Sequence, residues 1–257
     1  MIDIHNLTKN YGSMCAVDDL SLTINDGEFF GFLGPNGAGK TTTIKVVTGI
    51  LKPTEGSVSV CGHDIQKDSM AAKRVIGYIP DRPYLYEKLT GREFLEFVGR
   101  LYDLESKYVH ETAREYLEAF RLYDWVDELI ESYSHGMRQK LIFTAALLHN
   151  PRVIVVDEPM VGLDPMGVKI VKELFRKLCK KGVTIFMSTH TLEIAEEMCQ
   201  RIGIIQNGKM IAVGTKDELR EKAALGGAED GIDLEKIFLG LTGGDEVSEV
   251  LKVLRES

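Results

Sequence analysis

The run Gly34-Pro35-Asn36-Gly37-Ala38-Gly39-Lys40-Thr41 constrains this chain more than any other stretch. It follows an apolar segment, 29–33, that reads as a strand, and it opens a segment, 41–49, whose apolar residues have helical spacing. A glycine-rich turn between strand and helix lets successive backbone N–H groups face inward around an anion, and the helix N-terminus adds its dipole. That is the context a phosphate-binding loop requires, and its four fixed positions recur by accident in roughly one chain in a hundred of this size. Lys40 is expected to reach the β and γ phosphates of a nucleotide, with Thr42 beside it, and the Thr41 hydroxyl to ligate Mg²⁺.

A second signal agrees with the first. Val153-Ile154-Val155-Val156 reads as a buried strand that ends in Asp157 and Glu158, which places two carboxylates at the edge of a sheet where ligands of α/β folds bind. Asp157 suits the Mg²⁺ shell. Glu158, left free of the metal, suits the general base that takes a proton from water attacking the γ-phosphate. Alone, a strand ending in Asp-Glu is more often a solvated strand end; the loop at Gly34 reverses that weighting.

The rest of the chain organises around these two signals. The first sixty residues read as short strands (2–4, 16–24, 29–33, 56–60), and a further apolar run lies at 75–79. From Leu89 to Asn150 the pattern is helical, with Phe94, Phe97, Val98 and Leu101 on one face. After Asn150-Pro151, apolar strands at 153–156, 183–187, 202–205 and 210–213 and an amphipathic segment at 168–178 suggest the strand–helix alternation of a parallel sheet. The expected division is a nucleotide-binding core from 1–82 and 151–222, a helical insertion at 83–150, and a helical tail at 223–257. The tail is entered through Gly226-Gly227.

Composition removes several classes. A net charge of −8 argues against broad attraction to nucleic acid. No apolar run approaches the roughly 18 residues of a membrane-spanning helix, and the start, Met1-Ile2-Asp3-Ile4-His5-Asn6, lacks the pattern of a secretory signal. The cytoplasm is therefore the expected compartment. Cys15, Cys61, Cys179 and Cys199 have no metal-site or disulfide spacing.

Taken in order, these motifs resemble the ATP-binding subunits of ABC transporters, and the resemblance extends through about Thr215. Tyr11 matches the aromatic that stacks on adenine in that family. Tyr133-Ser134-His135-Gly136-Met137 stands where the family signature Leu-Ser-Gly-Gly-Gln is expected, Gly162-Leu163-Asp164-Pro165 matches the D-loop, and Ser188-Thr189-His190 brings the switch histidine. The resemblance implies a P-loop NTPase (RecA-like) α/β core with an antiparallel β arm and an inserted α-helical subdomain. It implies two such subunits, each ATP held by the loop of one and by the signature residues Ser134 and Gly136 of the other, with Asp164 of the D-loop also among the nucleotide-binding residues. It further implies transmembrane permease subunits as partners and a peripheral place on the cytoplasmic face of the membrane. The signature, the Glu158-Pro159 junction and the run from Leu234 to Gly244 look like the ABC-2-type exporter branch. Two departures stand out: Asp81, expected at the metal, where the family has glutamine, and His135 and Met137 within the signature. A chromosome-maintenance ATPase of the family would need a long coiled coil between Lys40 and Ser134, where no heptads are sustained. A translation-factor ATPase would need a second cassette, and an idle regulatory module would not keep both Lys40 and Glu158.

Overall fold

A computed structural model describes residues 1–82 and 84–225, the last four of these by backbone alone. In chain order the elements are β1 (Ile2–Tyr11), β2 (Met14–Ile24), β3 (Phe29–Leu33), α1 (Lys40–Val47), β4 (Glu55–Val60), β5 (His63–Asp64), α2 (Ser69–Arg74), β6 (Ile76–Ile79), α3 (Gly91–Leu101), α4 (Ser106–Ala119) and α5 (His135–Leu147). There follow β7 (Val153–Asp157), α6 (Pro165–Lys180), β8 (Thr184–Thr189), α7 (Leu192–Met198), β9 (Arg201–Gln206), β10 (Lys209–Gly214) and α8 (Lys216–Leu225). The helical runs expected at 234–241 and 247–254, and Pro83 at the expected start of the insertion, lie outside the described residues.

The unbroken apolar run of β7 has a direct structural cause, because all five of its residues are buried. Successive side chains leave a strand on opposite faces, so a strand covered on both sides must be apolar throughout. Ile154 and Val156 enter one core with Phe29, Leu33, Ile185, Met187 and residues of α3 to α7. Val153 and Val155 enter the other with Phe30, Phe32, Phe186, α1 and the strands of the β arm. The six-stranded sheet has the order β10-β9-β3-β8-β7-β6, and a second sheet, β2-β1-β4-β5, is antiparallel throughout.

From β9 to β6 the large sheet is parallel, but β9 and β10 pair antiparallel across the turn Asn207-Gly208. The parallel alternation expected after residue 150 therefore stops at the last pair. An Asn-Gly dipeptide between two apolar runs is the strongest short-range hairpin signal, and both residues stand at positive φ as the tight hairpin turn demands.

In the helical segment, Thr90 and Glu93 form a capping box that fixes the start of α3, each side chain meeting the other's backbone N–H. Ser134 caps α5 by accepting from the Met137 N–H at 3.3 Å. α5 is anchored at its middle, where Phe143 packs at 5.8 Å from both Phe120 and Phe175, so this helix touches α4 and the α/β core at once.

Candidate functional site

The loop from Gly34 to Gly39 leaves β3 at the sheet's carboxyl edge and runs into α1. Its glycines are dictated by geometry. A Cβ on Gly34 would overlap the Ile205 carbonyl, and one on Gly39 would lie 2.5 Å from the Ala16 carbonyl oxygen at a φ of +107°. Gly37 (φ +80°) has nothing within 4 Å of its Cβ position, so its backbone faces open space. Pro35 closes the turn by accepting from the Ala38 N–H at 3.2 Å, and Asn36 is exposed on the rim.

Lys40 is only 6% exposed, and its ammonium donates to the carbonyls of Gly34 at 2.7 Å and Pro35 at 3.1 Å. Burial pulls its pKa below the ordinary lysine value, against the opposing pull of the Glu158 and Asp157 carboxylates. Glu158 Oε1 lies 3.7 Å from that ammonium and 3.0 Å from His190 Nδ1, so one carboxylate stands between the loop lysine and the histidine after β8. Sheet register creates this meeting: β7 and β8 run parallel with Asp157 opposite Ser188, which brings the residues that follow each strand together. Glu158 stands at φ +50°, a strained conformation for a non-glycine residue, held by its N–H donating to the Ser188 carbonyl at 3.3 Å and hydroxyl at 3.2 Å. Asp157 is buried beneath it and accepts from the same Ser188 hydroxyl.

A cavity of about 510 Å³ opens over the loop. Asn36, Gly37, Ala38, Gly39, Lys40, Thr41 and Thr42 line one side, Asp81 and Glu158 another. The far end is made by Met14, Cys15 and Ala16 at the start of β2 and by the Asn207-Gly208 turn. Those five residues carry no sequence motif for phosphate chemistry. The turn is nevertheless bonded to the loop, Gly208 N–H donating to the Ala38 carbonyl at 2.9 Å. Tyr11 is not among the lining residues; it is exposed, with the Lys9 ammonium 5.3 Å from its ring centroid. Ser134, Gly136 and Asp164 also lie outside this cavity, on the N-terminal turn of α5 and at the start of α6.

Among the described residues no three His, Cys, Asp or Glu side chains cluster as a metal cage. A Mg²⁺ ion held partly by substrate phosphates and water needs only one or two carboxylates, and the hard oxygen donors of Thr41, Asp157 and Asp81 fit that chemistry. No described helix is long and apolar enough to cross a membrane.

A phosphate loop between strand and helix, with a strand-end carboxylate facing it across a cavity, defines a P-loop nucleotide-binding protein. A family model described as "ABC transporter" matches residues 17–161. The chain is 41% identical over 220 residues to the uncharacterized ABC transporter ATP-binding protein YhcH of Bacillus subtilis (strain 168), covering 85% of this chain and 71% of that one. It is 40% identical to the daunorubicin resistance ATP-binding protein DrrA3 of Streptomyces coeruleorubidus, over 91% and 72% of the two chains. An ATP-binding subunit of an ABC transporter superposes with a TM-score of 0.87 at 32% identity, over 94% of this chain and 99% of the other. A dimeric ATP-binding cassette in a post-hydrolysis state, bound to ADP and Pi, superposes with a TM-score of 0.77 at 26% identity, over 84% and 98%. This chain belongs to the ATP-binding subunits of ABC transporters. It binds and hydrolyses ATP.

Proposed function

We propose that two copies of this cassette, or one copy and a related one, close around two ATP molecules and power export through separate transmembrane permease subunits, from a peripheral position on the cytoplasmic face of the membrane. The observation that carries the shared-site reading is the position of the signature. The chain's own cavity gathers the loop, Asp81 and Glu158 but leaves Ser134, Gly136 and Asp164 outside it, with the Ser134 hydroxyl exposed at a helix N-terminus. Relatives named for daunorubicin resistance and for bacitracin transport support the export direction.

Within each site, the backbone of Gly34 to Gly39 and the N-terminus of α1 receive the phosphates, with Tyr11 against adenine. Lys40 exchanges the Gly34 and Pro35 carbonyls for the β and γ phosphate oxygens. Thr41, Asp157 and Asp81 hold Mg²⁺, which when bound neutralises phosphate charge. Glu158 takes the proton from the attacking water, and His190, within hydrogen-bond reach of Oε1, orients that carboxylate and the γ-phosphate. Ser134, Gly136 and Asp164 close the site from the partner.

A mixed dimer tests the sharing. When a Ser134→Arg chain pairs with a Lys40→Ala chain, both lesions fall on one ATP if sites are shared, and the other site stays whole. One ATP bound per mixed dimer is the expected result. Two sites both damaged would mean that each is built within one chain.

Asp81 calls for a separate prediction. Asp81 lines the cavity, and an Asx-turn to the second residue on is excluded because Pro83 has no N–H. Near the γ-phosphate its charge is repulsive, on the order of 1 to 4 kcal/mol at ~4 Å, while near the metal it is attractive. Asp81→Asn is therefore expected to raise the Mg²⁺ concentration for half-maximal hydrolysis and to leave metal-free nucleotide affinity equal or better. A Mg²⁺ titration identical to that of the parent removes Asp81 from the metal site.

A further inference from the structure

The first turns of α5 touch the loop 158–164 of their own chain at three points. The His135 imidazole lies against the Cα of Gly162, in the space a side chain would fill, and Gly162 stands at φ +78°. A Cβ on Gly136 would lie 3.3 Å from the Gly162 carbonyl oxygen, so the two backbones are in close approach. Farther along the helix, the Lys140 ammonium meets Asp164 Oδ1 at 3.5 Å. The loop is in turn tied to the carboxylate that starts it: the Val161 N–H donates to the Glu158 carbonyl at 3.2 Å, and the Leu163 N–H to the Met160 carbonyl at 3.4 Å. Two turns thus separate the imidazole from Glu158, a residue whose positive φ requires its surroundings to hold it.

We propose that His135 is a positioning residue for the Glu158 of its own chain: its imidazole, seated on Gly162, braces the loop that carries the catalytic carboxylate. The proposal rests on the shared-site reading and adds a link between the two sites. Ser134, the neighbour of His135, serves the partner's ATP, whereas Glu158 serves the ATP of its own loop. His135 therefore ties the helix that serves the partner's ATP to the loop that carries the base for its own, and the brace is in place whether or not the partner's loop is filled.

The competing assignment is that His135 contacts the partner's phosphates directly, and the two assignments damage opposite sites. In a first mixed dimer, a His135→Ala chain pairs with a Lys40→Ala chain, so the working loop and its Glu158 belong to the altered histidine chain. In a second, one chain carries both His135→Ala and Lys40→Ala, and the working loop belongs to an unaltered partner. Each is compared with the matched dimer that keeps His135. The brace predicts a kcat loss of roughly tenfold in the first dimer at unchanged KM for ATP, short of the ~10²-fold that a displacement of about 1 Å costs, and no loss in the second. Loss confined to the second dimer, equal loss in both, or no loss in either overturns it. Homodimers give an independent reading that needs no half-active reference. There His135→Ala should lower kcat alone and His135→Phe, which keeps a flat ring on Gly162 without the imidazole's nitrogens, should restore most of it. A raised KM with kcat intact, or no recovery in His135→Phe, overturns the brace, while a fault in the shared-site reading would appear instead in the matched dimers that keep His135.

Discussion

Glu158→Gln is expected to lower the ATPase rate by roughly 10²- to 10⁴-fold, the range a positioned general base supplies, while ATP binding stays intact or becomes tighter. The amide fills the carboxylate's space between Lys40 and His190 but cannot take the water's proton. Tighter binding follows from charge. Without nucleotide, Glu158 is the carboxylate 3.7 Å from a buried ammonium, and its removal leaves that cation with the Gly34 and Pro35 carbonyls and the more distant Asp157 charge. Phosphates then replace the lost charge, and the repulsion between Glu158 and the γ-phosphate is gone. Both effects favour the ATP-bound state, so the variant should accumulate as a dimer when ATP is present. Gel filtration with and without ATP, beside a phosphate-release assay, checks both halves. A variant that hydrolyses at the parental rate would falsify the general-base assignment.

The parts of the site that could be read from the sequence are those whose chemistry is local. Gly34, Gly39 and Lys40 announce themselves because a tight turn and a strand–helix junction fix the residue types within eight positions. The β7 run was legible for a similar reason, since burial on both faces forbids polar residues at either parity. What stayed hidden depends on partners far apart in the chain. The pairing of Glu158 with His190 comes from the register of β7 on β8, which no spacing in the sequence encodes. The far end of the cavity joins β2 to the β9–β10 turn, where the Asp18 N–H donates to the Gly208 carbonyl at 2.9 Å, and Met14, Cys15 and Ala16 carry no chemical signature of that role. The short helix α7 went unread as well. Its seven residues bury only Ala195 and Met198, too few to show a helical period. The contact of His135 with Gly162 belongs to the same kind: the histidine is visible as a departure from the signature, but the glycine it rests on lies across the junction of helical segment and core.

Lys40→Ala is expected to weaken ATP and ADP binding by roughly 10- to 150-fold, which corresponds to about 1.5 to 3 kcal/mol for hydrogen bonds made by a charged donor. The net effect is a difference between two states of the lysine. Before nucleotide arrives, the ammonium already donates to two loop carbonyls and faces Glu158, so binding exchanges those contacts for phosphate oxygens. The exchange is favourable because burial holds this lysine's pKa low, and the charged phosphates stabilise the protonated form more than neutral carbonyls do. The alanine variant also leaves Glu158 without the ammonium 3.7 Å from its carboxylate, which adds like-charge repulsion against the incoming phosphates. AMP lacks the β and γ phosphates and should bind the variant as it binds the parent. Titration calorimetry without Mg²⁺, using ATP, ADP and AMP on both proteins, separates this reading from a general collapse of the loop. A loss shared equally by all three nucleotides would mean that the loop has lost its shape, and an unchanged ATP affinity would take Lys40 out of the site.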